Sequence, residues 1–446
     1  MILDANQILA LAPDPASAKA GSQLAVQRNW SNLGRSELAL WGECQGSGKT
    51  PYRTQIDLGE PAFKCSCPSR KFPCKHGLGL YLLLAANPAL FNSGDAPDWV
   101  GDWLQSRQSR QEKKAAKPEP SEQDVEAAAA QSRKREEKRE QKVDAGVREL
   151  QTWLHDLARE GLAPVRSRGQ AFWDAIAARM VDAQAAPLAR RLRSAGSMLY
   201  QSGLPDAEER VAFELASIYL LVTAWQGIEN LPPALQADVR SLLGFTVNQD
   251  EVLRQPGVAD RWRILSQAVS DEERLRMRAT WLRGVATGRW ALVLHYAAGT
   301  QGFEPMPVAG TEFDGVLHFY PGAWPLRAMP APPAEVLPML HGPGDAAGID
   351  ALLDQYADAL AVQPFLDRYP ALLADLVPDG AERPGLRDPQ GRRIELHPSF
   401  RHAFHLLALS GGAPLTIFGE WDGRALLPLS VWHEGRLYNI DTDFIA

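Results

Sequence analysis

The stretch "FKCSCPSRKFPCKHG" places Cys65, Cys67, Cys74 and His76 within twelve residues of a 446-residue chain that holds only four cysteines and nine histidines. Three thiolates and one imidazole are a common donor set for a structural zinc in a tetrahedron. Cys65 and Cys67 are two apart, so an extended strand would send both sulfurs from one face. Cys74 and His76, also two apart, would point nearly opposite ways on a helix. Cys74 therefore belongs in a turn, with His76 at or just inside the helix start behind Pro73. The protein then fills all four positions and leaves none for water, which makes the expected role structural, not catalytic. A Cys65–Cys67 disulfide would be strained, and a Cys67–Cys74 disulfide would leave His76 idle. A redox pair needs Cys-x-x-Cys, which the cluster lacks. A catalytic cysteine needs no two further cysteines beside it. The plainest rival is four buried residues with no metal.

The cluster needs a frame. "YRTQIDL" alternates strictly, with Tyr52, Thr54, Ile56 and Leu58 on one face and Arg53, Gln55 and Asp57 on the other, the period of a strand. "LALWGEC" before it and "AFKCSC" after it also read as strands, and "HGLGLYLLLAA" reads as a helix ended by Asn87-Pro88. The cluster thus sits where a β-hairpin meets an α-helix, a small ββα module. Asp14 before Pro15 reads as an N-cap opening an earlier helix that runs to about Asn29.

Lys64, Arg70, Lys71 and Lys75 surround the cluster, with no acid between positions 61 and 77. Three thiolates and a zinc sum to one negative charge, so these cations can support the thiolates and leave a small cationic surface. Elsewhere the balance is acidic. The chain carries a net charge of −7, which argues against a protein that coats nucleic acid. An anion-binding surface would be local and N-terminal.

Residues 105–145 read as a linker. "SRQEKKAAKPEPSEQ" has no apolar face and is expected to be solvated. "DVEAAAAQSRKREEKREQKVDAG" favours an exposed single helix with acid–base pairs three and four apart. From 146 to 285 apolar residues recur at helical spacing, "EERLRMRATWLRG" included, so this region is expected to be α-helical. No fixed repeat length emerges. From 286 to 446 the pattern is α+β. "WALVLHYAA" and "GVLHFYPG" read as strands, helices are expected near 347–377 and 401–409, and "PLTIFGEWDGRALLPLSVWHEGRLYNI" reads as an antiparallel meander.

Cys-x-Cys, a spacer and Cys-x-His on a ββα frame resemble the SWIM zinc finger, over about residues 41–84. The wider run "ALWGECQGSGKTPYRTQIDLGEPAFKCSCPSRKFPCKHGLGL", with "FYPGAWPLRA" and "FGEWDG", is similar to a long bacterial SWIM-finger protein family of no settled biochemical role. The resemblance implies one zinc at Cys65, Cys67, Cys74 and His76, binding to DNA or to other proteins, and no enzyme activity. It also implies a protein partner, a MoxR-type ATPase or a von Willebrand A-domain protein, by gene neighbourhood.

Other signals carry less. "QGSGKT" lacks the first glycine of a phosphate-binding loop, since Glu43 stands there, and Pro51 and a strand follow where a helix is required. His397, His402 and His405 lie close together with only Glu395 as an acidic companion and read as ordinary histidines. Asp441 and Asp443 alone define no site, and Cys44 reads as a half-buried free thiol. No stretch reaches the ~20 apolar residues of a bilayer span, and the N-terminus lacks secretory features.

The expectation is a soluble, cytoplasmic, multidomain, non-enzymatic protein. Residues 1–104 hold the finger module, 105–145 the linker, 146–285 the helical region and 286–446 the α+β region. Its function is protein–protein binding by the zinc-stabilised finger. The alternative is nucleic-acid (DNA) binding through Arg53, Lys64, Arg70, Lys71 and Lys75.

Overall fold

The computed structural model describes residues 8–9, 11–12, 15–46, 50–58, 62–69, 73–115, 122–201, 206–272, 275–298, 303–304, 306–331, 336–338, 342–380 and 383–440. The chain divides into two compact units. The first takes residues 1–122 with 271–277 and 296–304, and the second takes 123–270, 278–295 and 305–446.

In the first unit, helix α1 (Pro15–Leu24) precedes four strands, β1 (Trp30–Arg35), β2 (Ala39–Cys44), β3 (Tyr52–Asp57) and β4 (Ala62–Cys65). Helix α2 (Lys75–Ala86), the short β5 (Asn92–Ser93) and helix α3 (Asp98–Ala115) follow. The strands form one sheet in the order β4-β3-β2-β1-β5. β1 lies in a stretch expected to begin as helix and end as a loop. The N-cap expected at Asp14 lies outside the described residues.

The apolar face of the sheet, through Leu40, Cys44, Ile56 and Phe63, packs under the buried leucines of α2. α1 crosses α2 where glycines allow close approach. A Cβ on Gly21 would sit 2.7 Å from Leu78 Cβ, and one on Gly79 would sit 2.8 Å from Leu24 Cβ. The other face is covered as well. Val100 of α3 is buried against Ala39 and Trp41. Gln55, placed by alternation on the open side, is 2% exposed and donates to Trp99 O at 3.3 Å. Arg107 pairs with Asp57 at 3.1 Å. The boundary expected at 104/105 therefore falls inside a helix that packs on the sheet.

The second unit opens with helix α4 (Glu122–Glu160), 39 residues long. α5 (Gln170–Asp182), α6 (Ala186–Tyr200), α7 (Ala207–Gln226), α8 (Pro233–Leu242) and α9 (Gln249–Arg254) follow. Val147, Leu150 and Leu154 of α4, Ile176 and Met180 of α5, Leu188 and Leu192 of α6, and Ile218 and Leu221 of α7 share one core. The spacing of three and four that marked these segments is the stripe that each helix turns inward. α4 is not a free helix up to residue 145. Arg240 of α8 pairs with both Glu136 and Glu140. Arg139 donates to Gly244 O at 2.8 Å, and its guanidinium lies 4.4 Å from the centre of the Phe245 ring.

Strands begin at Val258, well before residue 285. They are β6 (Val258–Glu272), β7 (Leu275–Gly284), β8 (Trp290–Ala298), β9 (Thr311–Phe319), β10 (Arg327–Pro330) and β11 (Val336–Pro338). Within "EERLRMRATWLRG", expected as helix, Leu275–Gly284 is strand. Leu275, Met277, Ala279 and Trp281 alternate with Arg276, Arg278 and Thr280, a period of two that its helical spacing masked. Helix α10 (Ile349–Val362) comes next, then β12 (Tyr369–Asp379), β13 (Gly385–Arg387) and β14 (Arg393–Leu396). The helix expected to reach 377 therefore stops at Val362, and "YPALLADLVPD" is a strand bent where Asp375 takes φ 56°. Helix α11 (Ala403–Ser410), β15 (Leu415–Trp421), β16 (Ala425–His433) and β17 (Arg436–Asn439) complete the chain.

Both of these sheets close on themselves. The first runs β10-β8-β7-β6-β9 and returns through a β9–β10 pairing, with β11 added outside β9. The second runs β14-β13-β12-β15-β16 and returns through a parallel β14–β16 pairing, with β17 added outside β16. Trp281 and Leu292 of the first barrel pack with Leu372 and Phe418 of the second. Trp281 Nε1 donates to Glu420 Oε1 at 2.8 Å, and Ser430 Oγ donates to Leu265 O at 2.6 Å.

Candidate metal centre

β3 and β4 pair with Thr54 opposite Cys65, which fixes the first sulfur at the end of the hairpin. Just beyond it, Ser66 is clamped to β3. Its N–H donates to Arg53 O at 3.0 Å, and Arg53 N–H donates to Ser66 Oγ at 2.9 Å. β4 ends at Cys65, so Cys67 sits in a bend and not on an extended strand. Cys74 is the N-cap residue of α2, with φ −75° and ψ 165°, and His76 is the second residue of the helix.

The three sulfurs and one ring nitrogen of His76 lie within 4.8 Å of one another. His76 Nδ1 stands 3.8 Å from Cys65 Sγ and 3.9 Å from Cys74 Sγ. A tetrahedron with zinc–sulfur bonds of about 2.3 Å and a zinc–nitrogen bond of about 2.0 Å has edges of about 3.5 to 3.8 Å. The two Nδ1–sulfur spacings are within about 0.4 Å of those edges and every spacing in the group is at most 4.8 Å, so a small inward shift would close the cluster on zinc, with Nδ1 the ring nitrogen that faces the sulfurs. The four residues fit one structural Zn2+, which would serve as a cross-link between the hairpin and the helix.

The thiolates are supported mainly by groups that the cation reading missed. The hydroxyl of Thr54, fully buried, lies 3.2 Å from Cys65 Sγ and can donate to its thiolate. Backbone N–H groups of Cys67, Ser69 and Gly77 hydrogen-bond Cys65, Cys67 and Cys74 respectively. Each sulfur thus meets an N–H two or three residues further on. Without metal, a hydrogen bond from Cys65 and, to a lesser degree, one from His76 hold the Cys74 thiol down to about 4, against the opposing effect of burial. The same hydrogen bond and burial push Cys65 up, and burial pushes Cys67 up. Zinc must displace the protons that these thiols still carry, so its capture is favoured as pH rises.

Replacing Thr54 with valine keeps the shape and removes the donor. It is expected to weaken zinc binding by about tenfold or more, read by competition with a chromophoric chelator. Unchanged affinity would mean that the backbone N–H groups suffice.

Of the cationic candidates, Lys64 on β4 and Lys75 at the start of α2 are exposed. Arg53 is engaged, pairing with Glu43 at 3.3 Å and lying 5.7 Å from the Trp99 ring. Arg70 and Lys71 lie outside the described residues, as do Asp441 and Asp443. Cys44 is fully buried and not half-buried. It sits in the apolar core beneath α2, and burial raises its thiol to about 11. The His402 and His405 rings meet edge to face with 5.2 Å between centres, while His397 Nδ1 bonds Ser399 Oγ at 2.6 Å. Among the described residues only the Cys65–His76 group gathers ligands for a metal. No helix among them is long and apolar enough to cross a membrane.

These features define a three-cysteine, one-histidine zinc finger at a strand–helix junction. Residues 52–85 match the SWIM zinc finger family, and residues 138–243 match the SWIM-associated four-helix bundle domain. The second match covers α4 from residue 138 through α8, the helices whose shared core is described above. No curated protein matches the chain. No solved structure matches it either.

Proposed function

We propose that the chain is a non-enzymatic interaction protein of the cytoplasm. In this reading β3, β4 and α2 act as the ββα frame of the finger, and zinc holds a binding surface for another protein. The observation that carries it is the closed ligand set. Four protein donors fill the tetrahedron, so the metal has no open position for substrate or water and serves to fix shape. The exposed surface of that shape includes Lys64 of edge strand β4 and Lys75 of α2. The partner class is the one implied by the SWIM resemblance, a MoxR-type ATPase or a von Willebrand A-domain protein.

The second reading, DNA binding by the finger, rests on the same cations. Arg53 pairs with Glu43, so a phosphate reaching it would first have to displace that carboxylate. The test mixes purified full-length chain with each purified partner and, separately, with a DNA duplex, followed by calorimetry. A complex with one partner protein that is lost in Lys64→Glu/Lys75→Glu and in Cys74→Ser is the expected result. Duplex binding abolished by the same charge reversal would favour the DNA reading. A partner complex indifferent to both variants would remove the finger from the interaction.

A further inference from the structure

The two closed barrels share one connectivity. In each, the first three strands pair in succession, and the fourth pairs antiparallel with the first. The fifth pairs antiparallel with the fourth and closes the ring by running parallel to the third. In the second barrel a helix, α11, also lies between the third and fourth strands. This is the strand order of the oligonucleotide- and oligosaccharide-binding barrel, whose ligand face is the outside of strands two and three with the loops beside them.

The two copies differ in what covers that face. In the first barrel it is spent on packing. Trp281 of strand two and Leu292 of strand three, with Trp290 and Leu294, press on the second barrel. In the second barrel it carries arginines paired with carboxylates. Leu386, Ile394 and Leu396 point into the core, so Arg387, Arg393 and Glu395 point out. The Arg387 side chain is 50% exposed, as is that of Arg383 just before β13. Arg387 and Arg393 share Asp379, and Arg383 and Arg393 share Glu395. Arg424, between β15 and β16, lies on the loop expected to flank the face. Four guanidiniums thus stand against two carboxylates of the barrel.

Asp206, the cap residue before α7, and Glu209 in its first turn make up the difference. Arg383 pairs with Asp206 at 3.2 Å, Arg424 pairs with Glu209 at 3.0 Å, and Arg424 also lies 5.2 Å from the Phe213 ring. We propose that the second barrel binds the backbone of single-stranded nucleic acid along β13 and β14, and that the carboxylates of α7 hold two of its arginines until a phosphate displaces them. Guanidinium forks suit phosphate oxygens. β13 and β14 carry no aromatic residue for stacking on bases, so recognition is of the backbone, blind to sequence and steeply dependent on salt. This surface is separate from the zinc finger and stands or falls without it.

The test uses the full-length chain and fluorescein-labelled oligothymidylate and oligouridylate, read by anisotropy. Affinity is expected to fall roughly fifty-fold between 50 and 200 mM salt, as about four phosphate contacts on a single strand require. Arg387→Glu/Arg393→Glu is expected to weaken binding at least tenfold. Asp206→Asn/Glu209→Gln is expected to strengthen it severalfold, and Lys64→Glu/Lys75→Glu on the finger to leave it unchanged. Should the first variant lose its fold by circular dichroism, Arg383→Ala/Arg424→Ala takes its place, with a severalfold loss expected. Absence of binding at low salt by both wild type and Asp206→Asn/Glu209→Gln would overturn the proposal. So would binding lost only in the finger variant. Competition by polyglutamate as effective as by oligothymidylate of equal charge would also overturn it, giving the face to an acidic protein segment instead.

Discussion

Cys74→Ser is expected to abolish stoichiometric zinc and to open the chain from β4 through the first turns of α2. Cys74 caps α2, is 6% exposed, and its thiol is the one that hydrogen bonds from Cys65 and His76 pull down. Serine keeps the volume but is a poor zinc ligand, and it leaves the Cys65 thiol without its acceptor. Structural zinc contributes on the order of 10 kcal/mol in small finger peptides, comparable to the whole stability of a typical domain. The loss need not be global, because Leu40, Ile56, Phe63 and the leucines of α2 form an apolar core of their own. Hydrogen exchange should therefore accelerate over residues 62–80 while the helical bundle keeps its protection, with elemental analysis showing well under one equivalent of zinc. Full zinc retention in Cys74→Ser would show that this sulfur is no ligand. Uniform acceleration across the whole chain would show that the two units unfold together.

Phe365→Ala should split the melting of the second unit. Phe365 lies between α10 and β12, yet it is buried in the core of the helical bundle. Asp238 of α8 reinforces the junction by accepting the Ala323 N–H at 2.7 Å. Truncating a buried phenylalanine costs about 3–5 kcal/mol, and here the loss falls on the contact that makes bundle and barrels cooperate. Calorimetry of the wild type should give one transition for this unit. The variant should give two, the lower one belonging to the bundle. A single transition shifted down by several degrees would mean that Phe365 fills space without coupling the parts.

The metal centre was legible because its ligands are local. Four donor side chains within twelve residues carry their own geometry, and the capping position of Cys74 follows from where a helix can begin. The supporting hydroxyl of Thr54 was not legible, since it reaches Cys65 only through the register of β3 on β4. The helical bundle showed in its spacing of apolar residues, whereas the strand at 275–284 hid behind the same spacing. There, alternating arginine and apolar residues satisfy both periods. The strand at 369–379 hid because its apolar run has no clear period. The closed barrels were beyond reach for a different reason. Ring closure depends on parallel pairings between β8 and β10 and between β14 and β16, which bring together segments about 30 residues apart or more and leave no local trace. The expected boundary at 104/105 failed because the polar sequence after it reads as solvated, while Trp99, Val100 and Leu104 before it had already committed α3 to the sheet.

Ring closure has a bearing on how this chain behaves at high concentration. An open sheet offers a row of unpaired amides and carbonyls to any passing chain, and long flat borders of that kind seed clumping. Here the described outer strands are short. β11 has three residues and β17 four, while β4 and β5 at the borders of the finger sheet have four and two. A chain this rich in strand therefore presents little border for strangers to extend, and on β4 the charged Lys64 stands guard over what remains.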